Sequence, residues 1–116
     1  MYSVHKSEAK VLDLKGRFVN VFIGSDKLTS DYMTVGLTEV HPMTEMDPHS
    51  HDDKEEIIYV ISGHGSAKVG DSVEPLEADT AVVFPVGVPH SVKNEGRGPL
   101  KFVFMFTPPT DFTYAK

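Results

Sequence analysis

The residues best equipped for chemistry lie in one stretch, 49–63, His-Ser-His-Asp-Asp-Lys-Glu-Glu-Ile-Ile-Tyr-Val-Ile-Ser-Gly. In extended chain, side chains at i and i+2 leave the same face. His49 and His51 can therefore aim both imidazoles at one point. If residues 55–61 form a neighbouring strand, Glu56, Ile58 and Val60 share one face and Glu55, Ile57, Tyr59 and Ile61 the other. The run is apolar enough to imply that both faces are at least partly buried. A carboxylate heading such a run needs a partner, because an unpaired buried charge is costly. A divalent metal shared with the two histidines supplies one. His90, behind the turn Pro85-Val86-Gly87-Val88-Pro89, offers a fourth donor.

This donor set constrains the chemistry. The chain has no cysteine, so any metal must be held by nitrogen and oxygen. Three neutral imidazoles and one carboxylate suit Mn, Fe, Co, Ni, Cu or Zn and are too rich in nitrogen for Ca or Mg. Such an ion acts as a Lewis acid or activates a bound water. No nucleophile motif, phosphate loop or dinucleotide fingerprint is present, so no separate catalytic residue is assigned and catalysis belongs to the metal.

Strands must position these residues. Segments 17–24, 32–40, 55–61, 80–84, 90–94 and 100–107 are rich in β-branched and aromatic residues and end at Gly, Pro, Asn or Asp. Shorter elements are expected at 11–14 and 66–69, with at best a brief strand around Val73. Phe102, Phe104 and Phe106 alternate onto one face, with Val103 and Met105 on the other. Short strands at this spacing, with no amphipathic helix, predict an all-β sandwich or barrel. A small closed barrel leaves an interior just wide enough for a modest ligand.

With 116 residues, 40% of them hydrophobic and 24% charged, the chain reads as one globular domain, 1–116, with a core over about 11–107 and arm-like termini. The net charge is −6 and the eleven basic residues are scattered, which argues against nucleic acid as a partner. No apolar run is long enough for a transmembrane helix. The opening Met-Tyr-Ser-Val-His-Lys lacks the apolar stretch of a signal peptide. A cytoplasmic protein without membrane partners is expected.

The spacing His49-x-His51-x4-Glu56-x6-Gly63 resembles the first cupin motif, and Pro85-x-Gly87-x2-His90-x3-Asn94 resembles the second. The resemblance implies a small jelly-roll β-barrel with His49, His51, Glu56 and His90 as ligands to one divalent transition metal per chain. It further implies a metal-dependent enzyme acting on a small organic molecule, as an oxygenase or a lyase, isomerase or decarboxylase. The alternative is a cupin that binds or senses a small molecule without turnover. Single-domain cupins commonly pair, so a homodimer is expected. Two departures stand out: Met43 and Asp79 occupy positions where the motifs usually open with glycine, predicting altered loops around an unchanged site. Glu55 rivals Glu56 as the carboxylate, but the spacing to Gly63 and the strand face favour Glu56.

Other candidates have plainer readings. Two histidines alone can sit in an exposed loop, but Glu56, His90 and the Gly and Pro punctuation count against it. His5, His41 and His64 match no motif position and read as surface residues. Asn94 is expected to bond backbone at a strand end, and Asp52-Asp53-Lys54-Glu55 to form a solvated loop. The phenylalanines read as core that also walls the cavity. Arg17 and Tyr32 can orient an anion if they point inward, but Arg17 is expected at the surface. Met43 and Met46 flank the metal loop, and Met43 is within reach of the cavity mouth.

Overall fold

A computed structural model describes residues 1–24 and 27–110 of the chain. A short 3-10 turn, Lys6–Glu8, precedes nine strands: β1 (Lys10–Leu14), β2 (Arg17–Ile23), β3 (Thr34–Val40), β4 (Glu55–Ser62), β5 (Gly65–Val69), β6 (Ser72–Leu76), β7 (Ala81–Phe84), β8 (His90–Asn94) and β9 (Leu100–Thr107). The expected turn at Ser25-Asp26 and the arm beyond residue 110 fall outside the described residues.

The strands form two antiparallel sheets, β1-β2-β3-β9-β4-β7 and β6-β5-β8. The all-β, jelly-roll class is the one expected, but the barrel is open: among the described residues no continuous ladder joins the sheets. The loop before β4 extends the smaller one. Met46 N–H donates to the Val92 carbonyl at 2.8 Å, and His49 and His90 exchange backbone hydrogen bonds of 3.0 and 2.8 Å. This loop, read in sequence as a mere connection, thus runs as an added strand beside β8.

Period-two alternation decides what fills the space between the sheets. Phe102, Phe104 and Phe106 of β9, Ile58 and Val60 of β4, Val19 and Val21 of β2, and Ala67, Leu76 and Val92 of the smaller sheet are all buried in one core. Burying each larger apolar side chain contributes about 1.5–3 kcal/mol. Gly36 of β3 is fitted to this core, because a β-carbon there would run into the Phe104 ring and the Asn20 carbonyl.

One expectation about burial is corrected. The outer face of β4 is not covered: Ile57, Tyr59 and Ile61 are exposed, as is Val83 of β7, since among the described residues no second layer packs on that side. In β3 the hydroxyl-bearing face turns inward, with Thr34 and Thr38 buried. Thr38 pairs with Val19 and Phe102, both core residues. Around Val73 a full edge strand forms. Pro75 is tolerated there because an edge residue need not donate to a neighbour on both sides.

Met43 and Asp79, the two departures from motif glycines, are the two non-glycine residues of the described chain with positive φ, at 57° and 70°. The turns keep a left-handed geometry without the residue that adopts it most readily, at a cost of about 1–2 kcal/mol for an ordinary side chain. Met43 is exposed and has little packing to lose. Met43→Gly is therefore expected to stabilise the fold by about 0.5–1 kcal/mol after the extra chain entropy of glycine is subtracted, read as a higher urea midpoint. Asp79→Gly is expected to be near neutral, because Asp79 also accepts a 2.7 Å hydrogen bond from the Tyr59 hydroxyl.

Asn94 is fully buried at the end of β8. Its Nδ2 donates to the carbonyls of Val40, His41 and Gly98 at 3.0, 3.1 and 2.9 Å, and its Oδ1 accepts from Gly96 N–H at 2.9 Å. It ties the β8–β9 turn to the end of β3, where the metal loop begins, and so bonds backbone as expected. Asn94→Ala orphans several buried groups at once and is expected to cost about 2–4 kcal/mol in equilibrium unfolding.

Candidate metal centre

The four sequence-predicted donors meet between the sheets. His49 and His90 face each other as a cross-strand pair, His51 follows on the loop, and Glu56 enters from β4 on the opposite sheet. One ligand atom from each lies within 4.8 Å of the others. Glu56 Oε1 stands 3.5 Å from His90 Nε2 and 3.9 Å from His51 Nε2. Glu55, on the other face of β4 opposite Thr107, is outside the group.

The imidazoles are oriented by their surroundings. His49 Nδ1 and His90 Nδ1 lie 3.3 and 3.2 Å from the carbonyls of Asp47 and Val88. A neutral ring donates its proton there and presents an unprotonated Nε2 to the centre. Phe84 stacks on His90 with ring centroids 4.2 Å apart and planes 2° from parallel. Phe106 meets His51 edge-on at 5.1 Å.

The fit to a metal rests on atoms that otherwise lack a partner. Nε2 of His51 and of His90 are buried and make no hydrogen bond among the described residues; both face Glu56 from beyond hydrogen-bonding range. Ligand bonds of about 2.1 Å hold neighbouring donors about 3–4 Å apart, so these four need contract only slightly around an ion. Burial, followed by the positive field of His90, lowers the pKa of His49 from its ordinary 6.5, against the pull of the Asp47 carbonyl and Glu56. Burial likewise lowers that of His51, with Glu56 opposing. Both rings are held neutral, as metal ligation requires.

Two spaces that share Arg17, Met46, His49 and His51 in their linings lie at the centre. An inner chamber of about 60 Å³ is lined by the four donors, Phe84, Phe102, Phe104, Phe106, Val19, Val92 and Met46, with Thr38 and Arg17 as its other polar residues. Outside it, a vestibule of about 620 Å³ is bordered by Lys15, Arg17, Met46, the 47–54 loop and Thr110.

Arg17 is half-buried: its Nη1 donates an exposed 3.5 Å hydrogen bond to the Lys15 carbonyl, in keeping with the expected surface placement, yet it also lines the cavity. The signal was present in its spacing: residues i and i+2 share a face, and Val19 and Val21 of the same strand are buried. Met46 lines both spaces, whereas Met43 borders neither and is exposed, as is Tyr32. Of the remaining histidines, His5 bonds Ser7 beside the 3-10 turn and His41 packs edge-on against Phe18 at 4.8 Å. His64 is exposed.

Comparison with known proteins agrees with this geometry. The chain is 29% identical over 96 residues to "Polyketide synthase CurC" of Streptomyces cyaneus, covering 83% of this chain and 59% of that protein's length. Its fold matches the structure of KdgF from Halomonas sp. with a TM-score of 0.81 at 16% identity, over 96% of both chains. It also matches the Lactobacillus farciminis oxalate decarboxylase formate complex with a TM-score of 0.80 at 24% identity, over 91% of this chain and 33% of that one. Residues 36–106 match the cupin domain, and with the two motifs and the two-sheet fold around them, the chain belongs to the cupin family.

Proposed function

We propose that this cupin is a metal-dependent enzyme acting on a small organic molecule, with His49, His51, Glu56 and His90 as the ligands of one divalent transition metal. The observation that carries this reading is the pair of buried imidazole nitrogens, on His51 and His90, that face Glu56 without a hydrogen-bond partner. A metal bound there supplies Lewis acidity and, if it is iron or manganese, one-electron chemistry.

The chain's own residues do the rest. Glu56 offsets part of the cation's charge, and the Asp47 and Val88 carbonyls fix two of the ring tautomers. Phe84, Phe102, Phe104 and Phe106 wall the inner chamber with apolar surface, and a lower local dielectric strengthens electrostatic contacts beside them. His49, His51, Glu56 and His90 would hold the metal, and it would offer Lewis-acid chemistry to a substrate that enters beside them. The reaction we propose is of the oxygenase, lyase, isomerase or decarboxylase class, the last being the one named for a protein of similar fold.

The test is elemental analysis of untagged protein beside His49→Ala/His51→Ala, followed by turnover screens with the metal found. About one transition metal per chain in the parent and little in the variant supports the site. A parent that holds no metal and takes up none when offered it overturns the reading; metal with binding but no turnover across the screen selects the sensing alternative.

We further propose a homodimer formed through the uncovered apolar face of β4 and β7. Ile57, Tyr59, Ile61 and Val83 are exposed there, and Ile57 lies directly beside Val83. Light scattering is expected to give about twice the 12.8 kDa chain mass, and Ile57→Glu/Val83→Glu to return it to the monomer value.

A further inference from the structure

The geometry points to Arg17 as a specificity-determining anchor for a carboxylate that sits in the inner chamber between its guanidinium and the four-donor centre. This deepens the metalloenzyme reading and rests on it: the substrate class becomes a small organic acid.

Arg17 borders both the inner chamber and the vestibule. It shares that place with Met46, His49 and His51, and is the one cation among the four. It is near enough for its charge to act on the His49 ring. The inner chamber is otherwise walled by four phenylalanines, two valines and a methionine, and apart from the donors its polar groups are Arg17 and Thr38. The guanidinium keeps a 3.5 Å hydrogen bond from Nη1 to the Lys15 carbonyl, and its positive charge beside this wall favours an anion.

Guanidinium also matches carboxylate geometry bidentately. Its five N–H donors can serve an arriving anion alongside Arg17's contacts within the chain. Size points the same way. The inner chamber, about 60 Å³ against about 620 Å³ outside it, is far the smaller of the two spaces and takes only one end of a ligand. The rest of the substrate must lie in the vestibule, whose 620 Å³ is within the usual range for ligand pockets of about 300–1,000 Å³.

Cobalt(II) as a spectroscopic metal tests this without needing the true substrate. The parent, Arg17→Gln and Arg17→Lys are loaded with cobalt and titrated with glycolate and with its neutral analogue glycolamide, following the visible cobalt bands. Glycolate is expected to shift the bands in the parent at concentrations at least about 10-fold below those needed for glycolamide or for the Gln variant, as befits loss of a charge-assisted hydrogen bond. Arg17→Lys is expected to recover part of the difference. Cobalt affinity itself is expected to hold or rise in Arg17→Gln, because a positive neighbour of His49 is removed; a merely structural role for Arg17 predicts a fall.

Equal glycolate affinity in parent and Arg17→Gln, or equal affinity for glycolate and glycolamide, overturns the assignment. A parent that binds no cobalt overturns the metal reading instead. Glycolate is then titrated into metal-free protein while the arginine Nε–H resonances are followed. A shift of the Arg17 signal supports the anchor, and its absence overturns it.

Discussion

Saturating metal is expected to raise the melting temperature of the protein by about 15 °C, and His90→Ala to remove most of that increment. A ligand that binds the folded state alone, at a thousand times its dissociation constant, stabilises by about 4 kcal/mol. For a chain of this size each kcal/mol shifts melting by about 4 °C. His90 supplies a buried Nε2 with no other partner, on a ring fixed by the Phe84 stack and the Val88 carbonyl. Loss of a partner outside the ligand sphere already weakens metal binding about 10–100-fold. Loss of a ligand is expected to cost about 1,000-fold, which at the same metal concentration leaves an increment of only about 2 °C.

The comparison must be between increments. His90→Ala also opens a gap against Phe84 and lowers the melting point of the chelated protein by itself. Calorimetry of each protein with and without chelator separates the two effects. Equal increments in parent and variant would remove His90 from the ligand set.

The sequence was most legible where a single periodicity governed. Val19 and Val21 on β2, Glu56, Ile58 and Val60 on β4, and Phe102, Phe104 and Phe106 on β9 point inward because alternation leaves no other arrangement once one side is buried. The four donors were legible for the same reason, aided by turn residues at fixed spacing. What sequence could not supply was pairing between distant segments. The hydrogen-bonded bridge between His49 and His90 joins positions far apart in the chain, and no local pattern announces it. That Arg17 lines the cavity as well as meeting solvent was not legible from residue type: arginine is usually exposed, yet its phase is that of two buried valines. Met43 and Asp79 show that a turn's backbone conformation can survive loss of the glycine that usually carries it, the surrounding ladder imposing the angle.

Acid is expected to weaken the metal-free protein in two separate steps, the first set by the metal centre. His49 and His51 titrate lower in the folded chain than at the ordinary 6.5 of an unfolded imidazole. Between those values the unfolded chain binds more protons, so stability falls with falling pH. This contribution is present above about 6.5 and is lost as the pH drops through the lower folded values. Glu39 governs a later step. Burial alone would raise its pKa, but Lys6 at 3.1 Å and Lys101 at 3.6 Å outweigh burial and lower it from 4.5. Its stabilisation is present above 4.5 and is lost only as the pH falls below that value.

Urea midpoints of chelated protein should therefore be flat above pH 7, decline from about 6.5, and decline again below 4.5. Rising stability between pH 6.5 and 5.5 would contradict the assignment. The same desolvation bears on metal uptake. Because both rings are already neutral at pH 7, binding need displace few protons from them, and affinity should hold down to the folded pKa values. Below them it should drop about tenfold per pH unit for each ring that must lose a proton. Calorimetric titrations in buffers of different ionisation enthalpy measure that proton release directly. Release of two protons at pH 7 would mean that the rings are charged in the metal-free fold, and that burial does not prepare them for the ion.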